Sequence, residues 1–171
     1  MAQPDHLRRI HFWLAVFITG LLLSGVTAFP LQSELGWLVH LLRTSWLLPI
    51  AGSTQLLPWI ERVSEALSAT NVRYPFLAYG TDWLAFAHLV IAIAFIGPWV
   101  DPVRNKWVIT FGLIACAGVI PLALIAGPVR GIPLRWRLID CSFGVLGCVP
   151  LLICRRSIMA LERPKAFISR N

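Results

Sequence analysis

Charged side chains are scarce in this sequence, at 13% of 171 residues, whereas 57% of the residues are hydrophobic. Soluble globular domains carry about 25% charged residues, so this composition excludes an ordinary soluble domain. We therefore expect lipid to be the main solvent of the chain. The net charge of +7 could suggest nucleic-acid binding, but Lys and Arg stand in small groups beside apolar runs. That arrangement is typical of membrane topology signals, and no nucleic-acid partner is predicted.

Motifs for metal binding, thiol chemistry and hydrolysis are also missing. The four cysteines lie within apolar stretches and form no C-x-x-C pair, so no zinc cluster or disulfide-exchange motif is predicted. No G-x-S-x-G elbow surrounds a serine, and the glycines lack phosphate-loop spacing. The sequence therefore disfavours a serine hydrolase and predicts no metal site.

Four apolar runs are long enough to cross a bilayer, which takes about 20 residues in a helix. They cover about residues 10–29, 81–100, 107–126 and 135–154. Lipid offers no partners to unpaired backbone groups, and the alternating segments of a β-barrel are absent, so we expect helices. The predicted fold is all-α, a single membrane domain built as a bundle of four transmembrane helices.

Residues 31–80, between the first two runs, are too apolar for a solvated linker. Two stretches of this segment place their leucines and β-branched residues on one helical face, and Ser33 could cap the first helix. We expect one or two amphipathic helices that lie on the outer membrane surface or cap the outer end of the bundle. The residues of these two faces are Leu35, Leu38 and Leu42, and then Leu56, Ile60, Val63 and Leu67.

The distribution of Lys and Arg predicts the orientation. Nine fall on the side of the termini and six on the other side, which favours cytoplasmic N- and C-termini in a bacterial-type inner membrane. A cleaved signal peptide is the alternative for the first run, because Arg8 and Arg9 precede it and residues 26–28 resemble a cleavage site. We expect the run to be retained, since it is longer than the roughly 7 to 15 apolar residues of a signal peptide.

Small residues spaced four apart indicate where helices pack closely. Gly20 with Ser24, and Gly144 with Cys148, form two such pairs within the predicted spans. We expect them to promote packing within this chain, with contact to a second copy as the alternative.

Asp140 lies in an unfavourable place for a carboxylate, roughly 7 Å inside the fourth predicted span. Arg137 comes three residues earlier on the same helix face, so an internal ion pair is expected. Together with Arg130 and Arg135, this pair either ties the preceding turn to the outer rim or forms an anion or headgroup site. In the second case, Asp140 would orient one guanidinium.

Two further polar residues occur in the second span. Asp82 begins it, at the expected level of the arginine cluster, and either joins that cluster or only offsets the helix dipole. His88 shares a face with Ala85 and Ala92, so it should point into the bundle as a packing residue, a proton carrier or a ligand contact. Asp82, His88 and Asp140 are the candidate catalytic residues.

Haem is disfavoured as a cofactor, because two axial histidines must lie at one depth. His11 is separated from His88 by roughly 18 Å in depth, and His6 precedes the first span. His40 reaches the bundle only if its helix dips into the membrane. The sequence identifies no other cofactor.

Three functions remain open. The leading one is a non-catalytic membrane protein that binds lipid, a partner membrane protein or a second copy of itself through the outer cap and the arginine-rich rim. It rests on polar residues that cluster at an interface and leave no continuous polar path through the bundle. The alternatives are a membrane-embedded enzyme or carrier for an amphiphilic anionic substrate, and a cofactor-binding redox subunit.

Overall fold

The computed structural model describes residues 3–46 and 48–162, a part of the chain that is helical almost throughout and contains no strand. A 3₁₀ turn at Pro75–Ala78 leads into the fifth helix. The helices in chain order are α1 (Gln3–Ala28), α2 (Leu31–Thr44), α3 (Leu48–Ser53), α4 (Leu56–Arg73), α5 (Tyr79–Ala94), α6 (Ile96–Val100), α7 (Lys106–Val129) and α8 (Leu134–Glu162).

Four stretches of the described chain are long and apolar enough to cross a membrane. They are α1, α7, α8 and the run Pro75–Val100, which contains α5 and α6. The prediction of an all-α fold with four helices of spanning length is therefore confirmed. α1 and α8 extend beyond the predicted runs, to Gln3 and Glu162. Hydropathy detects only the apolar part of a helix, whereas its backbone hydrogen bonds continue into polar flanks.

The spans form a bundle in which α1 lies between α5 and α8, and α8 lies between α1 and α7. The start of α1, the start of α7 and the end of α8 lie at one end, here called the N-terminal end. Ile10, Leu14, Ile109 and Leu151 form a fully buried core there. Phe95, at the junction of α5 and α6, completes this core with no exposed surface. All four spans therefore meet at the N-terminal end.

Helices α2, α3 and α4, here called the cap, connect α1 to α5 at the opposite end of the bundle. They enclose a second apolar core that includes Leu35, Leu42 and Ile60, and Trp136 of α8 packs against it. The faces predicted to be apolar are thus turned towards each other. The apolar face of α2 thus covers the apolar face of α4, and Trp136 at the start of α8 packs against the core that they form.

Polar contacts hold α2 and α4 together beside the apolar core. Arg43 Nε donates to Glu61 Oε1 at 2.8 Å. At the other end of the pair, Gln32 Nε2 donates to Ser68 Oγ at 3.2 Å and Asn71 Nδ2 donates to Gln32 Oε1 at 2.7 Å. These contacts fix how α2 and α4 align along their length.

The predicted capping role of Ser33 is wrong. α2 begins at Leu31, and the residue before it is Pro30, whose carbonyl accepts the backbone N–H of Glu34 at 3.0 Å. Ser33 therefore lies inside the first turn, where it cannot act as the N-cap. The apolar spacing located the helix face correctly but not the first residue of the helix.

The connectivity places the start of α1 and the end of α8 at the N-terminal end. Six basic residues of the described chain lie at this end: Arg8, Arg9, Arg104, Lys106, Arg155 and Arg156. The other six basic residues of the described chain belong to the cap, to the turn between α7 and α8, or to the start of α8. The cytoplasmic location of the termini stays a prediction. Three residues counted towards it, Arg163, Lys165 and Arg170, lie outside the described residues.

Candidate functional site

A partly open cleft of about 450 Å³ lies near the middle of the bundle, between α1, α5, α7 and α8. Most of its lining is aliphatic or aromatic, and it includes Phe17 of α1 and Phe143 of α8. Three side chains offer polar atoms: Ser24, His88 and the thiol of Cys116. The cleft is an apolar site with a few polar groups, which is the usual character of a small-molecule pocket.

Glycines explain why the cleft opens between tightly packed helices. A Cβ atom at Gly25 would lie 3.0 Å from Ala85 O, so α1 and α5 approach closely there. A Cβ atom at Gly144 would lie 2.5 Å from Cys116 O, so α7 and α8 approach even more closely. A Cβ atom at Gly20 would meet nothing within 4 Å, because Gly20 faces the cleft. Close packing within this chain is confirmed at Gly144 but not at Gly20, where contact with a second copy stays a prediction.

His88 lies on the face of α5 that contacts α1, beside the buried Ala85 and Ala92. Its Nδ1 is 2.8 Å from the carbonyl oxygen of Leu84, one turn earlier. A carbonyl only accepts, so Nδ1 carries a proton and donates it. In the neutral ring, Nε2 is then an acceptor, and no described residue bonds to it. His88 thus offers the cleft one acceptor beside the hydroxyl of Ser24.

The expected ion pair between Arg137 and Asp140 is not formed. Within the described residues, the ion pairs are Arg43 with Glu61 and Lys106 with Glu162. Arg137 instead lays its aliphatic stem across Gly127 of α7, where the missing side chain leaves room. With its stem held against α7, the Arg137 guanidinium does not come within ion-pair distance of Asp140.

The arginine-rich rim, defined as Arg130, Arg135 and Arg137, surrounds the turn between α7 and α8. Arg130 caps α7, and Gly131 makes the turn with a φ of +69° that favours glycine. Arg130 and Arg135 are exposed, and Arg137 has a buried Nε atom with no partner among the described residues. No described carboxylate pairs with any of the three, so the rim is a cationic surface.

Asp82 does not join this rim. It lines a separate groove of about 290 Å³ with Phe29, Tyr79, Trp83 and Phe86. α5 packs mainly against α1 and makes little contact with α8. Of the candidate catalytic residues, His88 lines the cleft, Asp82 lines this groove and Asp140 lines neither of the two.

The other described histidines lie away from the cleft. His11 is at the N-terminal end, where its Nε2 lies 3.0 Å from the carbonyl oxygen of Trp99 and its ring contacts the Trp99 ring. His40 is exposed on α2 of the cap. Among the described residues, no three His, Cys, Asp or Glu side chains are grouped closely enough to hold a metal ion.

Sequence reasoning missed most of the cleft. Phe143 and Cys116 carry no pattern that distinguishes a cleft residue from a lipid-facing one, because both environments are apolar. Ser24 and His88 carry a weak signal, as polar side chains inside two adjacent spans. That Ser24 and His88 line the same cleft became visible only when the contact between α1 and α5 was known. Compared with protein-family models, curated proteins and solved structures, the chain gives no significant match.

Proposed function

We propose that this protein is a non-catalytic, multi-pass membrane protein that binds a lipid, with an apolar chain in the cleft and a headgroup at the arginine-rich rim. The observation that carries the proposal is the apolar cleft with His88 and Ser24 at its wall. Its volume of about 450 Å³ lies within the roughly 300–1,000 Å³ typical of ligand sites. A cleft among membrane spans has lipid chains as its nearest source of ligand.

Polar contacts must supply the selectivity. Lipid chains are as apolar as the leucine side chains of the protein, so moving a chain from bilayer to cleft gains little free energy. The acceptor Nε2 of His88 and the Ser24 hydroxyl favour a lipid that carries a hydroxyl or amide donor. We infer that the bound lipid differs from the bulk lipids in carrying such a donor near the headgroup end of its apolar chain.

The rim supplies the second part of the proposed site. Along α8, Arg137 lies six residues before Phe143, which places it roughly 9 Å closer to the cap end of the bundle. This separation suits a lipid whose chain enters the cleft while its headgroup stays at the rim. An anionic headgroup would compensate the unpaired charge of Arg130, Arg135 and Arg137.

The cap fits a location at the outer membrane surface, with both termini in the cytoplasm of a bacterial-type inner membrane. Trp37 and Trp46 are 77% and 81% exposed, and indole rings favour the headgroup level of a bilayer. We propose that the cap lies in this interfacial zone. His88 lines the cleft whereas Asp82 lines a different groove, which favours binding over joint catalysis by these two groups.

The test compares two glycine substitutions that add the same side chain. Gly20→Leu fills part of the cleft, whereas Gly118→Leu adds a leucine on α7 where a Cβ atom also meets nothing within 4 Å. Each variant and the wild type are extracted in mild detergent, and bound lipids are identified by native mass spectrometry. We expect the wild type and Gly118→Leu to retain a selected lipid and Gly20→Leu to lose it. Equal retention by both variants, or no selected lipid on the wild type, would overturn the proposal.

A further inference from the structure

A second groove, of about 600 Å³, lies between α7 and α8 at the N-terminal end, far from the rim. Trp107, Phe111 and Ile114 of α7 form one wall. Arg155 and Met159 of α8 contribute to the other. The groove thus combines aromatic and aliphatic walls with cationic side chains.

The charges of the groove are unequally compensated. Lys106 Nζ donates to Glu162 Oε1 at 2.7 Å, so these two charges offset each other. Arg155 has no ion-pair or hydrogen-bond partner among the described residues. Arg156, the next residue, is also exposed and adds positive charge nearby, although it does not line the groove. The groove therefore carries a net positive charge, with Arg155 as its uncompensated cation.

Depth along the helices identifies where this cation lies. Arg155 directly follows Cys154, which packs in the core at the N-terminal end. Glu162 lies seven residues further along α8, or roughly 10 Å nearer the end of the helix. The groove thus extends from the Lys106–Glu162 pair to the level at which the apolar part of α8 ends. In a bilayer this interval corresponds to the headgroup and glycerol region.

We propose that this groove binds an anionic phospholipid of the leaflet at the N-terminal end. The phosphate would lie at Arg155 with Trp107 and Phe111 beside the headgroup, and the chains would continue into the membrane past Ile114. A free anion would use Arg155 but would leave the aromatic and aliphatic walls without a ligand. Basic grooves between spanning helices at the cytoplasmic side are typical sites for anionic lipids.

The inference shares with the proposed function the placement of the chain in a bilayer. Both sites suit an anionic headgroup, but they use different residues and lie in opposite leaflets. Gly20→Leu should leave the groove unaffected, and substitutions at Arg155 should leave lipid retention in the cleft unaffected. Failure of one proposal is therefore distinguishable from failure of the other.

The experiment uses the full chain in bilayers of equal phosphatidylglycerol and phosphatidylcholine. After gentle extraction, native mass spectrometry gives the ratio of the two lipids that stay bound. Arg155→Gln is compared with Arg156→Gln, which removes the same charge from an exposed neighbour outside the groove. We expect Arg155→Gln to lower the ratio about fivefold and Arg156→Gln to leave it nearly unchanged.

A third variant keeps both cations of the groove in place. Glu162→Gln removes the carboxylate that offsets Lys106, so the ratio of phosphatidylglycerol to phosphatidylcholine should rise. This variant tests the proposal even if Arg155→Gln folds poorly. Equal effects of Arg155→Gln and Arg156→Gln, no preference in the wild type, or no rise for Glu162→Gln would each overturn the proposal.

Discussion

The contact between α7 and α8 at Gly144 gives a quantitative prediction. In Gly144→Ala, the new Cβ atom would lie 2.5 Å from Cys116 O and 3.3 Å from Val119 Cβ. Ordinary contact begins at 3.4 Å, and the nearest atom belongs to backbone, so α7 and α8 must separate by about 1 Å. Overpacking of this kind costs about 1–3 kcal/mol. We expect Gly144→Ala to lower the free energy of unfolding by that amount, less the gain of up to about 1 kcal/mol that alanine brings over glycine in a helix.

Gly118→Ala is the matched control, since it makes the same chemical change on α7 where a Cβ atom meets nothing within 4 Å. Helix propensity alone would raise the stability of this variant by up to about 1 kcal/mol. The measurement is unfolding by sodium dodecyl sulfate in mixed micelles, followed by the loss of helical circular dichroism. Equal stabilities for the two variants would refute the close approach of α7 and α8 at Gly144.

Two further predictions concern His88 and the cap. His88→Ala removes the acceptor of the cleft and should lower retention of the selected lipid about three- to tenfold in native mass spectrometry, whereas His40→Ala should not. In the cap, Ile60→Ala should lower the opening free energy of the α4 amides by about 2–5 kcal/mol in hydrogen exchange. Arg43→Gln should lower it by less than about 1 kcal/mol, because the side chains of Arg43 and Glu61 are 62% and 34% exposed. A larger loss for Arg43→Gln than for Ile60→Ala would contradict the apolar core of the cap.

The sequence was sufficient for the helices and for their buried faces. Apolar runs located four spanning helices, and the spacing of Leu35, Leu42 and Ile60 identified residues that are buried in the cap. The helical spacing of Ala85 and Ala92 around His88 identified the face of α5 that contacts α1. These features depend on helical periodicity, which is a local property of the chain.

The arrangement of the candidate site could not be predicted, because it depends on which helices are neighbours. Gly20 and Gly25 are the same residue type and lie on the same helix, but only Gly25 is in close contact with α5. Arg137 and Asp140 have the spacing of an ion pair, yet Gly127 on another helix offers the arginine stem a better place to pack. Asp82 was expected near the rim on depth alone, and depth does not specify the side of the bundle.

Photo-crosslinking in native membranes tests the central claim that the cleft holds a selected lipid. Benzoylphenylalanine replaces Phe143, which is 66% exposed and lines the cleft, or Phe12, which is similarly exposed at 61% but does not line it. Mass spectrometry then identifies the lipids attached to each position. We expect adducts at Phe143 to be enriched in one lipid class and adducts at Phe12 to follow the bulk membrane composition. Adducts at Phe143 that match the bulk composition as closely as those at Phe12 would contradict it.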